Sequence, residues 1–181
     1  GLTLHTTGDV WNGPVTASDD AATLGAQDVV MLCTKANQLA SAAQHIAPLL
    51  HEKTIIVPAI NGIPWWYFTK HGGEFEGRNL SGLDPEGVLA RSIPTDRIIG
   101  CVNYLAGTVT APGHVHYVPE IERRLAIGEI DGAMTPRLKQ LADALSAAGF
   151  APVVSEDIRQ NIWHKLWGNI AFNPISALTH G

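Results

Sequence analysis

The 181-residue sequence holds only two cysteines, Cys33 and Cys101. A framework of several disulfides is therefore excluded. Each cysteine sits inside an apolar run, so two buried free thiols are expected, and nothing in the spacing supports a bridge between them. Charge is also sparse, at 16%, with 12 basic residues against 17 acidic ones and a formal net charge of -5. No basic run or face stands out, which argues against nucleic acid as a partner. The longest apolar runs, such as 54–60, are far too short to span a bilayer, and no secretory signal is visible. No membrane partner is expected, and the expected compartment is the cytoplasm. Internal repeats and low-complexity tracts are lacking. So is a G-x-G-x-x-G turn after a strand. His114 and His116 form an H-x-H with both rings on one face of an expected strand, but no third ligand follows at a suggestive spacing. No metal site is expected.

What is present is a globular composition, 45% hydrophobic, in a chain long enough for a substantial core. Residues 1–17 read as a short β excursion with turn residues at Gly8-Asp9 and Asn12-Gly13-Pro14. Ser18-Asp19-Asp20 opens a short helix that ends near Gly25. The continuous apolar run 28–33 reads as a strand covered on both faces. Residues 37–50 have helical periodicity. The run 54–60 is a second strand, with Pro58 marking its end or an edge position. Strand, helix and strand with short connections predict a βαβ unit in a parallel sheet, with ligands at the carboxyl ends of the strands. Two polar clusters fall at such ends, Thr34-Lys35 with Gln38 behind it, and Asn61-Gly62.

Residues 64–96 read as a short helix and a long loop. The sheet resumes at 97–106. Residues 115–118 and 124–128 read as a hairpin joined by a polar loop at 119–123. A helix is predicted at 136–148, with Pro136 early and Gly149 as its C-cap, and a short strand at 152–154. Ser155-Glu156-Asp157 caps a last, long helix.

That last helix carries the most informative pattern in the chain. Lys165, Asn169 and Asn173 recur every four residues and form one polar stripe on a helix. Almost every other position is apolar, from Ile162 and Trp163 to Leu178. A helix apolar nearly all round is expected to be buried. Buried amines and amides cost roughly 1–3 kcal/mol each when unpaired, so something polar should meet the stripe. The plainer alternative has Lys165 snorkelling to solvent and the asparagines bonding nearby backbone.

Read from Trp163 to Leu178, W-x-K-L-x-x-N-x-x-x-N-P-x-x-A-L resembles the signature of the ketopantoate reductase (2-dehydropantoate 2-reductase) family. The segments 32–38 and Asn61-Gly62 agree with it. The resemblance implies an α/β fold, with an incomplete Rossmann-like parallel sheet followed by the first long helix of an all-α part. Residues 1–155 would be a partial NADP-binding domain. Residues 156–181 would begin a helical domain for substrate and dimerisation.

It implies Lys165 as catalytic acid and Asn61, Asn169 and Asn173 as substrate-binding residues. Lys35, Gln38, Asn61 and Ala106 would contact the cofactor, NADPH. The activity would be NADPH-dependent reduction of 2-dehydropantoate to (R)-pantoate in pantothenate and coenzyme A biosynthesis. The partners would be a small 2-keto acid and a second subunit, through the helical part. Two other readings stay open: a related reductase acting on another 2-keto acid, and a non-catalytic interaction module keeping the fold. The absent glycine-rich turn suggests the middle portion of a longer enzyme. Taken alone, the 181 residues are expected to be inactive and to self-associate.

Overall fold

The computed structural model describes residues 1–6, 8–117 and 123–179. Strand β1 (Leu2–Thr6) and strand β2 (Asp9–Gly13) form an antiparallel hairpin. A 3-10 turn at Ala21–Thr23 follows, its first amides capped by the Asp20 carboxylate, which accepts from Ala22 N at 3.0 Å. Strand β3 (Val29–Leu32) and strand β4 (Ile55–Pro58) pair in parallel. Pro58 has no N–H to donate, so pairing passes to the next residue, and Ala59 N donates to Leu32 O at 3.0 Å.

The segment between β3 and β4 is not one helix. It breaks into a 3-10 turn at Ala36–Gln38, helix α1 (Leu39–Ala43) and a second 3-10 turn at Ala47–Leu49. The apolar periodicity is real, because Leu39, Ala43 and Ile46 are buried. Pro48 cannot supply the amide that would carry the helix on through that turn.

Beyond β4 the chain runs through turns at residues 65–70, where the sequence suggested a helix. Helix α2 (Val88–Ser92) follows, with the buried Asp84 carboxylate accepting from Leu89 N at 3.1 Å and Ala90 N at 3.0 Å. Strand β5 (Ile99–Asn103) leads into strand β6 (Gly107–Ala111) and strand β7 (His114–Tyr117). Strand β8 (Arg124–Glu129), helix α3 (Pro136–Ala147), strand β9 (Ala151–Val154) and helix α4 (Ile158–Thr179) complete the order.

The hairpin expected between β7 and β8 does not form. β7 pairs antiparallel with β6 and parallel with β1, while β8 pairs antiparallel with β5 and parallel with β9. Both strands had closer partners: β6 joins β7 through a tight turn at Gly113, and β5 presents an apolar strand matching β8 residue for residue. The loop read at 119–123 lies outside the described residues except for Arg123.

The result is a mixed α/β architecture. A single parallel bridge, Ile56–Ile98, joins the β3-β4 piece to β5-β8-β9. The order β2-β1-β7-β6 makes a separate sheet. Alternate residues of β4, β5 and β8 feed two cores. Ile56, Val102 and Ala126 join Trp65, Trp66, Ile158 and Ile162, whereas Val57, Cys101 and Ile127 join Leu138, Leu141 and Leu145 of α3. β3 departs from the expected double coverage, since Val29 and Met31 are exposed. It is the outer strand of its pair, and α3 packs on β8 and β9 rather than reaching it.

Two glycines set where α4 sits. A Cβ on Gly128 would meet Ser155 O at 2.5 Å, and one on Gly100 would meet Ile158 Cγ1 at 2.9 Å. The start of α4 therefore lies directly on β5 and β8. The expectation that the whole helix is buried fails. Ile158 and Ile162 are buried, but Trp163, Trp167, Ile170, Phe172, Ile175 and Leu178 are exposed, Trp167 to 77% and Leu178 to 81%. After two turns the helix leaves the sheet, and among the described residues no element covers its later apolar face.

Candidate active site

The site begins with the anchoring of α4. Ser155 Oγ accepts from Asp157 N at 3.2 Å, and the Asp157 carboxylate accepts from Gln160 N at 3.1 Å, capping the first turn. Arg159 then donates from Nε to Tyr67 O and from Nη2 to Thr69 O, both at 2.7 Å, and from Nη1 to Ile130 O. One guanidinium thus ties the helix to the turns after β4 and to the end of β8. Ile158, Ile162 and Lys165 follow at helical spacing on one face. The first two are buried in the core and the third reaches the carboxyl ends of β4 and β5.

There Lys165 Nζ donates to Asn61 Oδ1 at 2.7 Å and to the backbone carbonyl of Asn103. It also lies 5.5 Å from the centroid of the Tyr104 ring. Arg124 is a second cation on that ring, at 4.1 Å. Burial pushes the Lys165 ammonium below its ordinary pKa. Beneath it, burial pushes the Cys101 thiol up to about 12, so this neighbour is neutral near pH 7. Asn103 Oδ1 accepts from Leu105 N at 2.7 Å, fixing the turn that presents the carbonyl.

Lys165 and Asn61 stand at the edge of a cleft of about 1090 Å³. One wall is the end of β3 and the turn after it, with Cys33, Thr34, Lys35, Ala36 and Asn37. The opposite wall comes from the separate sheet, including Leu4, Val115 and Tyr117, and the floor includes Leu105, Ala106 and Gly107. Cys33 is exposed here, not buried as expected, because it lies one residue beyond β3, where the packed part of the strand ends. Cys101 is buried, and both thiols are free.

The sequence-selected residues divide clearly. Lys35, Asn61, Ala106 and Lys165 line the same cleft. Gln38 does not line it. Its Oε1 accepts from Lys35 N at 3.4 Å, which braces the turn instead. Asn169 and Asn173 lie farther along α4, half-buried and exposed respectively, outside the cleft lining. Sequence reading missed Asn103 and Tyr104. Their position at the carboxyl end of β5 was the available signal. His114 and His116 are exposed on β7, with His114 Nδ1 3.4 Å from His5 Nε2, and no group of three or more metal-ligating side chains occurs among the described residues.

A dinucleotide fits this cleft in part. Lys35 offers an exposed cation at a strand end, and Thr34 Oγ1 is buried in the same wall without a hydrogen-bond partner. An orphaned buried hydroxyl is the kind of group a bound ligand satisfies. No glycine-rich phosphate turn accompanies them in the 181 residues.

Comparison with known proteins agrees with the geometry. The family described as Ketopantoate reductase PanE/ApbA matches residues 1–65. A curated 2-dehydropantoate 2-reductase from Mesorhizobium japonicum is 45% identical over 179 residues, 99% of this chain and 54% of that protein. A crystal structure from Ralstonia solanacearum MolK2, provisionally described as a ketopantoate reductase, superposes with a TM-score of 0.94 at 43% identity, over 100% of this chain and 56% of that one. The 2-dehydropantoate 2-reductase of Geobacter metallireducens GS-15 superposes with a TM-score of 0.78 at 27% identity, over 99% of this chain and 53% of that one. The chain spans about half the length of the curated relatives it matches. With this fold and this similarity along nearly all of its length, the chain carries a ketopantoate reductase family match over residues 1–65 and resembles 2-dehydropantoate 2-reductases throughout.

Proposed function

We propose that the protein takes part in NADPH-dependent reduction of 2-dehydropantoate to (R)-pantoate, a step of pantothenate and coenzyme A biosynthesis. The observation that carries this is the Lys165–Asn61 contact at the mouth of the cleft. A half-buried ammonium fixed between a side-chain amide and a backbone carbonyl is a positioned proton donor.

Nicotinamide, when bound, supplies the hydride. The protein's own residues do the rest. Lys165 Nζ polarises a keto oxygen and gives it a proton as negative charge develops there. Asn61 Oδ1 holds the ammonium in place before reaction, and its amide N–H₂ is free to donate to substrate. Lys35 and Thr34 would meet the phosphate side of the cofactor, and Ala106 would offer backbone to it. Gln38 would act by bracing Lys35. Asn169 and Asn173, away from the cleft here, would meet the polar groups of the keto acid through the remainder of a longer protein.

Residues 1–155 would then be the cofactor half, and residues 156–181 the start of the helical half that completes the substrate site and pairs subunits. No helix among the described residues is long and apolar enough to cross a membrane, which is consistent with a cytoplasmic enzyme.

The test is Lys165→Ala in the full-length protein. A positioned acid contributes about 10²–10⁴-fold, so kcat should fall by that much while NADPH affinity stays near its original value. A near-normal kcat would remove Lys165 from the chemistry.

A further inference from the structure

A second cavity, of about 240 Å³, lies beside the main cleft. Ala36, Asn37, Ile60 and Asn61 line both spaces, whereas Lys165 lines only the cleft. The smaller cavity has walls of its own. Gly82 and Leu83 come from the long segment between β4 and β5, and Trp65, Trp66, Leu89 and Ile162 close other sides. None of the side chains lining it is charged.

From this geometry we infer that the cavity is a ligand site separate from the place of reduction, and that it takes a small uncharged molecule with an apolar body and a carbonyl oxygen. The inference does not depend on the reductase reading and goes beyond it.

Three observations carry it. The first is a pair of unanswered donors. Trp65 is 7% exposed and Trp66 2%, and the indole N–H of each is buried without a hydrogen-bond partner. Buried polar groups nearly always have one. Among the described residues four buried side-chain polar atoms lack a partner, and two of the four belong to the walls of this cavity. An indole N–H can only donate, so what answers it is an acceptor.

The second is rigidity. Trp66 is not free to turn its N–H elsewhere. Its ring packs on β5, where a Cβ on Gly100 would come within 3.0 Å of it, and the Arg159 guanidinium lies 5.8 Å from its centroid. The third is size and charge. An apolar cavity of about 150 Å³ binds benzene, so 240 Å³ admits an aromatic ring together with an acetyl-sized group. A charged molecule would lose its hydration here without gaining an opposite charge.

The test uses two probes of one shape, acetophenone and cumene, which differ in a carbonyl. Each is titrated into the full-length protein, and the indole resonances of Trp65 and Trp66 are followed by heteronuclear NMR. Acetophenone should move at least one indole proton downfield. The double variant Trp65→Phe with Trp66→Phe keeps both apolar rings and removes both donors. In it the preference for acetophenone over cumene should fall by about 2–10-fold, the usual worth of one hydrogen bond. An unchanged preference overturns the inference.

Gly82→Leu tests the location. The φ of Gly82 is outside the left-handed region, and a Cβ added there would meet nothing within 4 Å, so the side chain should fill the cavity without backbone strain. Binding of both probes should then be lost, and binding that survives overturns the inference by placing the probes elsewhere. Leu83→Trp narrows the same space and serves if Gly82→Leu does not fold. No binding of acetophenone to the unmodified protein, with both indole resonances unmoved, would mean that water alone answers the N–H groups and would overturn it too. None of these measurements requires turnover, so their outcome is separate from that of Lys165→Ala.

Discussion

An ammonium that bonds one amide oxygen and one backbone carbonyl, with an aromatic face nearby, has a fixed position and little water. Those two properties pull Lys165 in opposite directions. The contacts favour the charged form, but burial is the larger influence and holds its pKa below the ordinary 10.5. The donor must be protonated to act. Activity should therefore be lost as pH rises through this lowered value, and the alkaline limb of kcat/KM should fall below 10.5. A limb at or above the ordinary lysine range would contradict the burial seen here.

The stability effect has the opposite direction. Folding disfavours the charged amine, so that cost is fully present below the folded pKa. It is relieved as pH rises from there toward the unfolded value. At this scale the sequence was informative wherever a side chain does the work. Lys165 and Asn61 were legible because residue type and spacing mark them. Asn103 was not, because a carbonyl oxygen is common to all residues and leaves no trace in the sequence. Asn169 and Asn173 share the lysine's periodicity, yet α4 leaves the sheet before it reaches them.

At the scale of elements, the position of Lys165 is decided far from it. Arg159 holds three carbonyls from two separate segments, and Gly100 and Gly128 let α4 approach β5 and β8 closely. Gly128→Ala places a methyl 2.5 Å from Ser155 O, a backbone atom that cannot rotate away. The start of α4 must then shift, and Lys165 shifts with it. A displacement of about 1 Å can cost on the order of 10²-fold in rate, so kcat should drop markedly while the fold, followed by circular dichroism, persists. Unchanged kinetics in Gly128→Ala would show that the approach of α4 is not what positions the lysine.

The strands β3, β4, β5 and β9 and the helix α3 were legible from apolar runs and caps. Strand pairing was not. β7 and β8 follow one another in sequence, and only competition from β1, β5 and β6 sends them to different sheets. The break in the 37–50 helix was equally hidden, because buried apolar spacing survives in the short turns that replace it.

For the molecule as a whole, the exposed face of α4 is the dominant surface feature. Six large apolar side chains from Trp163 to Leu178 face solvent on one helix, and β3 adds Val29 and Met31 on an outer strand. Apolar surface of this kind marks an interaction site or an aggregation liability. The 181-residue chain should therefore associate with itself as concentration rises, and sedimentation velocity would show it. A monomer across the micromolar range would refute this. Trp167→Lys with Phe172→Lys should restore the monomer if α4 is the contact.

The pairing of β1 with β7 has a kinetic meaning as well. These strands join residues roughly 110 positions apart, and closing such a loop costs on the order of 4 kcal/mol of chain entropy before the contacts form. The β5-β8-β9 sheet closes shorter loops and has a dense core to reward it. Folding should thus proceed in two stages, with the layered core first and the β2-β1-β7-β6 wall of the cleft afterwards. In pulse-labelling hydrogen exchange, the amides of Ile99–Asn103 should gain protection before those of Leu2–Thr6. The cleft would be the last part of the molecule to come into being, and a nascent chain would hold Lys165 in place before the wall opposite it had formed.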